Sequence, residues 1–335
     1  MRGKYFTRKD NLELRCNLCP HYCILEPGEK GKCRVRRNSG GNIVTDAYNN
    51  VSALAVDPIE KKPLYHFYPG KNILSAGSFG CNMTCLFCQN HDISQPSGLI
   101  IDKRSRMITA VDIIKKASGI MNNIGIAFTY NEPVVWHEFM SAIAEEAKKV
   151  NMKTVMVSNG YINPGPLDDL LPLVDAFNID LKAFNNDFYR KYTGSTLKPV
   201  LNSIRQIKES GRHLEITFLI IPGHNDDSKE FEQCISWMAD TLGKETVLHL
   251  SRYFPSYGFT APVTPFSTME DFYRIASDKL DFVYPGNINM PGIMNTVCPG
   301  CGSIITERSG YQVNHMHTVD GKCSECGKQI YDNFI

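Results

Sequence analysis

KNILSAGSFGCNMTCLFCQN (71–90) opens with a short apolar run, Ile73–Ala76, and closes on three cysteines spaced Cys-x3-Cys-x2-Cys, at Cys81, Cys85 and Cys88. A brief apolar run bounded by polar and glycine residues reads as a buried strand, which puts the thiols on the loop leaving its C-terminal end. Farther along, Ile126–Thr129, Thr154–Val157, Ala176–Leu181, Leu214–Ile221 and Val247–Leu250 read as further strands. Amphipathic stretches lie between them. One helix starts at Thr109, where Thr109 and Asp112 fit a capping box. A second carries Trp136, Met140, Ile143, Ala147 and Val150 on one face, and others fall near 228–242 and 268–280. Strands alternating with helices imply βα units and a parallel sheet. Six strands suit an α/β fold, a partial (β/α)6 TIM-like barrel open on one side, whose ligands gather at the C-terminal strand ends.

On this reading residues 71–295 form the barrel. Residues 1–70 make a Cys-rich N-terminal segment, and 296–335 make a small C-terminal metal-binding appendage too short to fold on core burial alone. The 335 residues are 42 % apolar, enough for a sizeable core. Lys plus Arg number 36 against 35 for Asp plus Glu, so no global field draws the chain to nucleic acid or an anionic membrane. The start, MRGKYFTRKDNLELRC, lacks the apolar stretch of a secretory signal, and no window approaches a membrane span. A cytoplasmic location is expected.

Twelve cysteines fall into three sets and a singleton. In a reducing compartment, clustered cysteines are metal ligands or catalytic groups more often than disulfides. The singleton, Cys234, shares a helical face with Phe231, Ile235, Met238 and Leu242 and reads as a core thiol. Three thiolates at Cys81, Cys85 and Cys88 can hold three irons of a cubane cluster and leave the fourth iron open. An open coordination position marks a catalytic metal site rather than a structural one. The competing reading is zinc or a closed cluster with a fourth ligand such as His91.

CPGC (298–301) and CSEC (323–326) form two knuckles that suit one tetrahedral zinc on Cys298, Cys301, Cys323 and Cys326, with iron or a second cluster as the rival. His315 and His317 lie between the knuckles and read as loop residues. Cys16, Cys19, Cys23 and Cys33 suit zinc or an auxiliary iron–sulfur cluster, with His21 as an extra ligand; a structural clamp is favoured there over an electron relay.

Several polar residues sit at strand ends, where a barrel faces its ligand. TYNEP (129–133) supplies Thr129, Asn131 and Glu132, unless it is an ordinary turn with Pro133 starting a helix. In FNIDLK (177–182) Asn178, Asp180 and Lys182 alternate with apolar residues and share one strand face. Such a face points to a wet, ligand-holding interior or to an internal ion pair. Asn159 follows the third strand in an Asn-Gly turn. His249 shares a face with Val247 and Ser251, Glu215 and Thr217 share another, and Arg252 is a candidate carboxylate ligand.

With CNLCPHYC (16–23), DPIEKKPLYHFYPG (57–70), FTYNEP (128–133), SNGYI (158–162), FNIDLKAF (177–184) and HLSRYFP (249–255), the central motif resembles the radical S-adenosylmethionine (SAM) superfamily. The branch it resembles is that of the glycyl-radical-enzyme activases, and within it the AmmeMemoRadiSam system radical SAM enzymes, named for Memo-like and AMMECR-like gene neighbours. Ser158 departs from the Thr many relatives carry, and the tail YDNFI from the usual ending.

The resemblance implies an oxidoreductase. A [4Fe–4S] cluster on Cys81, Cys85 and Cys88 would cleave SAM reductively, and the 5′-deoxyadenosyl radical would abstract hydrogen from a substrate. It also implies that Glu132 accepts a hydrogen bond from the SAM ammonium and that Asp180 and Lys182 lie near SAM. Asn159 would contact its ribose or amino-acid end, and His249 would lie near its adenosyl group unless it is a satisfied core histidine. An electron donor such as flavodoxin or ferredoxin and Memo-like and AMMECR-like partner proteins follow as expectations. So does a protein-linked substrate, because an open barrel admits a polypeptide loop and Lys61, Lys62, Tyr65, His66, Phe67 and Tyr68 have the composition of a recognition surface. The rivals are a glycyl-radical-enzyme activase and a non-catalytic zinc-ribbon interaction protein.

Overall fold

A computed structural model describes residues 1–290 and 292–334. Its centre is an eight-stranded sheet of β1 (Ala53–Pro58), β2 (Asn72–Gly77), β3 (Asn123–Phe128), β4 (Lys153–Ser158), β5 (Ala176–Asp180), β6 (His213–Ile220), β7 (Val247–Arg252) and β8 (Val283–Gly286). Each strand pairs with its neighbours in sequence, so the spatial order is 1-2-3-4-5-6-7-8. β2 through β8 run parallel, and β1 runs antiparallel to β2. The six expected strands are β2 to β7. The two additions correct the expected count and have a common cause. β1 carries both faces half-exposed at a sheet edge, and β8 reads VYPG, too short and too proline-marked to stand out as a strand.

Among the described residues the ends of the sheet do not pair with each other, which leaves the barrel open between β1 and β8. Helices α1 (Ala110–Ser118), α2 (His137–Lys149), α3 (Pro164–Leu170), α4 (Leu197–Glu209), α5 (Ser228–Leu242) and α6 (Phe266–Ser277) connect the strands. Thr109 caps α1, accepting from the Asp112 N–H at 3.2 Å and donating to its carboxylate at 2.6 Å. The buried face of α2 is Phe139, Met140, Ile143, Ala144 and Ala147. Trp136, expected on that face, is buried in the 3-10 turn before the helix, and Val150 lies past its end, half exposed. Cys234 is a core thiol, buried against Phe231 and Ile235.

The N-terminal segment folds into short antiparallel pairs, Phe6–Arg8 on Leu14–Cys16 and Arg36–Asn38 on Ile43–Thr45. Arg36 fastens it to the barrel: its Nη1 donates to both oxygens of Glu138 on α2, at 2.8 and 2.7 Å, with both side chains buried.

The expectation that residues 57–70 form a recognition surface is corrected for most of its residues, while Lys61 stays exposed and Tyr68 half-buried. Lys62, Tyr65, His66 and Phe67 are all at most 4 % exposed, because they join the barrel to the C-terminal ribbon. The Tyr65 and His66 N–H groups donate to Glu215 on β6 at 2.9 and 2.8 Å, and Asn178 on β5 donates to the Pro63 carbonyl at 2.7 Å. From the other side Arg308 donates to the Tyr65 carbonyl at 2.9 Å and lies over the Tyr65 ring. The ribbon itself is β9 (Thr296–Val297), β10 (Ile304–Ser309) and β11 (Gln312–Met316), all antiparallel. Its tail returns to the same junction: Tyr331 is buried, and the Tyr68 N–H donates to the Asn333 carbonyl at 3.0 Å, while Ile335 lies outside the described residues.

Candidate active site

At the C-terminal ends of the parallel strands lies a cavity of about 490 Å³, in the size range of small-molecule and cofactor sites. Cys81, Cys85 and Cys88 all line it, together with Thr129, Asn131, Glu132, Asn159, Asp180 and Lys182. The cysteine loop is braced by the segment after β3. Asn131 accepts from the Ser78 N–H at 3.0 Å and donates to the Gly80 carbonyl at 2.8 Å. Asn90, just past Cys88, donates to the Tyr130 carbonyl at 2.8 Å. Tyr130 has φ +73°, an uncommon conformation for a non-glycine residue. Its hydroxyl donates to Asp57 at 2.9 Å, which holds the turn in place.

Glu132 organises the next loop. Its carboxylate accepts from the Ser158 hydroxyl at 2.7 Å, the Asn159 N–H at 2.8 Å and the Val134 N–H at 3.1 Å. The last of these makes it the cap of the 3-10 turn as well, so the turn reading and the ligand reading hold together. The Ser158 that departs from the family habit still supplies a hydroxyl. Burial, more than any neighbour, pushes the Glu132 carboxyl up to about 7. Asn159 in turn faces the cysteines, its amide 3.7 Å from the Cys81 sulfur and 2.9 Å from the Asn82 side-chain oxygen.

Asp180 closes β5, and Lys182 follows it at 3.1 Å, an ion pair on the cavity wall. Burial alone would lower the Lys182 ammonium, but the Asp180 carboxylate outweighs it and leaves it firmly charged. Asn178, on the same strand face, is instead sealed inside, bound to Pro63 and Thr217.

His249 and Glu215 line no part of this cavity. Glu215 is fully buried and accepts from His249 at 2.6 Å and His213 at 2.9 Å besides the two backbone N–H groups of Tyr65 and His66. This saturated carboxylate is a structural hub, and it occupies one ring nitrogen of His249. Arg252 is likewise engaged, with Nε on the Thr264 carbonyl at 2.8 Å. Lys61 and Lys62, expected at a recognition surface, also line the cavity, as do Asn287 and Tyr311, which sequence reasoning missed. Tyr311 sits on the turn between β10 and β11, a placement that only tertiary packing reveals.

The donor set fits an iron–sulfur cluster. Burial, first among the causes, raises the Cys85 thiol to about 12 and also pushes Cys81 well up, so a strongly cationic centre is needed to draw off their protons. Three sulfurs on one wall of an open cavity leave room for a further ligand, and the acidic and cationic groups opposite suit a zwitterionic one. In the C-terminal ribbon Cys298, Cys301, Cys323 and Cys326 have all four sulfurs within 4.8 Å of one another.

Residues 77–235 match the family model of the Radical SAM superfamily. The chain is 40 % identical over 330 residues to an uncharacterized protein of Methanocaldococcus jannaschii, covering 97 % of each. It is 25 % identical over 155 residues to the pyruvate formate-lyase 1-activating enzyme of Escherichia coli, covering 44 % of this chain and 61 % of that enzyme. The fold is similar to that of a radical SAM methyltransferase from Sphaerobacter thermophilus, with a TM-score of 0.51 over 71 % of each chain at 15 % identity. Superfamily membership implies a [4Fe–4S] cluster and SAM, and it sets aside the reading of a non-catalytic ribbon protein. Among the described residues no helix is long and apolar enough to cross a membrane. The chain belongs to the radical SAM superfamily and is an enzyme.

Proposed function

We propose that the chain cleaves SAM reductively at a [4Fe–4S] cluster held by Cys81, Cys85 and Cys88 and abstracts hydrogen from a substrate bound in the same cavity. The observation that carries this reading is the convergence of those three thiols with Glu132, Asn159, Asp180 and Lys182 around one cavity. When bound and reduced, such a cluster supplies the electron that breaks the sulfonium C–S bond of SAM, giving methionine and a 5′-deoxyadenosyl radical. Glu132 has three donors and one acceptor site to spare, which suits the ammonium of SAM. Lys182, held charged by Asp180, offers a cation to the carboxylate side. Asn159 orients the Cys81 sulfur and pins Asn82, keeping the loop in register with the strand ends. The buried wall excludes water from the reacting atoms. Cys298, Cys301, Cys323 and Cys326 hold one structural zinc in this reading.

Within the superfamily the reading is that of an AmmeMemoRadiSam system enzyme, working with Memo-like and AMMECR-like proteins and a flavodoxin or ferredoxin donor, on a substrate carried by a protein. The open edge between β1 and β8, with half-exposed Lys61 and Tyr311 at the cavity, leaves space for a polypeptide segment. Similarity to the Escherichia coli activating enzyme supports a second reading, an activase that installs a glycyl radical on a partner. Anaerobic reconstitution with iron, sulfide, dithionite and SAM tests the core of the proposal: 5′-deoxyadenosine and methionine are expected, and their absence from a cluster-loaded protein rejects it. Cross-linking from position 61 in anaerobic extract tests the protein-borne substrate, which is rejected if a free metabolite alone stimulates turnover and is itself modified.

A further inference from the structure

The N-terminal cysteines admit two chemistries, and the three sulfur sets of this chain distinguish them. A single zinc holds four thiolates at about 2.3 Å, which places the sulfurs about 3.8 Å apart. The C-terminal set meets that geometry, with Cys298–Cys326 and Cys301–Cys323 at 3.5 and 3.7 Å. Among the described residues no three of Cys16, Cys19, Cys23, Cys33 and His21 gather within 4.8 Å, and neither do Cys81, Cys85 and Cys88. The N-terminal four thus behave like the central set and unlike the C-terminal one. A cubane binds its thiolates on separate iron corners and spreads them farther apart than one ion does.

The four are nonetheless one site. Cys16, Cys19, Cys23 and Cys33 line a single enclosed pocket with His21 and Arg36. The Arg36 guanidinium, buried and paired with Glu138, forms part of its wall. The pocket also abuts the central loop. Gly80, with φ +86°, lets the Cys33 carbonyl approach where a Cβ would stand 2.5 Å from it, directly before Cys81. His21 Nε2 donates to the Asn82 carbonyl, directly after Cys81, at 2.6 Å.

We propose that Cys16, Cys19, Cys23 and Cys33 bind a second iron–sulfur cluster, not zinc, beside the SAM-cleaving one. The proposal rests on the radical SAM reading in that the central set is its yardstick. It reverses the structural clamp that spacing alone favours.

The test is iron, acid-labile sulfide and zinc per chain in anaerobically purified, reconstituted full-length protein. About eight irons, eight sulfides and one zinc are expected. The Cys81→Ala/Cys85→Ala/Cys88→Ala variant should keep about four irons and four sulfides, whose reduced electron paramagnetic resonance signal ignores SAM. Adding Cys16→Ser and Cys33→Ser to it should remove that remainder. The proposal is overturned if the wild type holds about four irons and two zincs and the triple variant holds no sulfide. If the triple variant loses nothing while the Cys16→Ser/Cys33→Ser change empties the protein of sulfide, the N-terminal site stands and the central reading falls. Should the triple variant fail to fold, the wild-type count of about eight against about four irons still decides the matter.

Discussion

The central and C-terminal cysteine sets use the same ligand in opposite ways. In the ribbon, four sulfurs already stand within 4.8 Å of one another before any metal is considered. In the barrel, three sulfurs stand apart on the wall of a cavity of about 490 Å³, facing Glu132, Asp180 and Lys182. A full set of four ligands saturates an ion and fixes chain geometry. A set of three beside charged groups leaves a coordination position and supplies partners for what fills it. Ligand count alone is weak evidence for chemistry; what stands opposite the ligands is the stronger sign.

The contrast is open to direct attack. The largest effect is expected from Cys85→Ala, which should lower SAM cleavage at least ~10³-fold and abolish the cluster absorbance while the ribbon keeps its zinc. Next comes Arg308→Leu. Arg308 is buried between the ribbon and Tyr65, 3.9 Å from Glu60, whose carboxyl burial already pushes up to about 7. Removing the cation strands that carboxylate and should cost about 3–5 kcal/mol in chemical unfolding, with the zinc still bound. Loss of zinc in that variant would mean that docking, not the four thiols, builds the metal site.

Cys323→Ser/Cys326→Ser should do the reverse, releasing about one zinc and exposing residues 296–330 to protease while a measurable rate of SAM cleavage survives. Complete loss of cleavage in folded protein would tie the ribbon to electron transfer. The smallest effect is a pH dependence. Glu132 sits at about 7 in the folded chain against an ordinary 4.5, so its contribution to stability declines as pH rises through that window. The carboxylate form is about tenfold more populated at pH 8 than at pH 6. With the α-ammonium itself titrating at about 8, SAM should bind roughly three- to fivefold more tightly at pH 8, a gain that Glu132→Gln should remove.

Much of this was legible in the sequence where local pattern and chemistry coincide. Strands β2 to β7 are apolar runs closed by polar residues, and TYNEP, SNG and IDLK sit where strands end; the structure brings Thr129, Asn131, Glu132, Asn159, Asp180 and Lys182 to one cavity with the cysteines. The partner of His249 was not legible, because a strand-face histidine looks alike whether it meets a ligand or a buried carboxylate, and Glu215 lies 34 residues away. Most of the segment 57–70 was misread as a surface because Lys62, Tyr65, His66 and Phe67 gain their partners only when Glu215, Arg308 and Asp57 fold around them. Tyr311 carried no local signal at all. Helix α4 did, through Leu197, Val200, Ile204 and Ile207 at helical spacing, and was passed over.

The central claim is that the thiols of Cys81, Cys85 and Cys88 hold a cluster with one iron open to SAM. Electron paramagnetic resonance of the dithionite-reduced, reconstituted protein tests it most directly, recorded with and without SAM. The account predicts a reduced-cluster signal whose shape and g-values change when SAM is added, and the loss of that SAM-sensitive component in Cys85→Ala. A signal that SAM leaves unchanged in the wild type, in protein whose cluster is fully loaded, would contradict it.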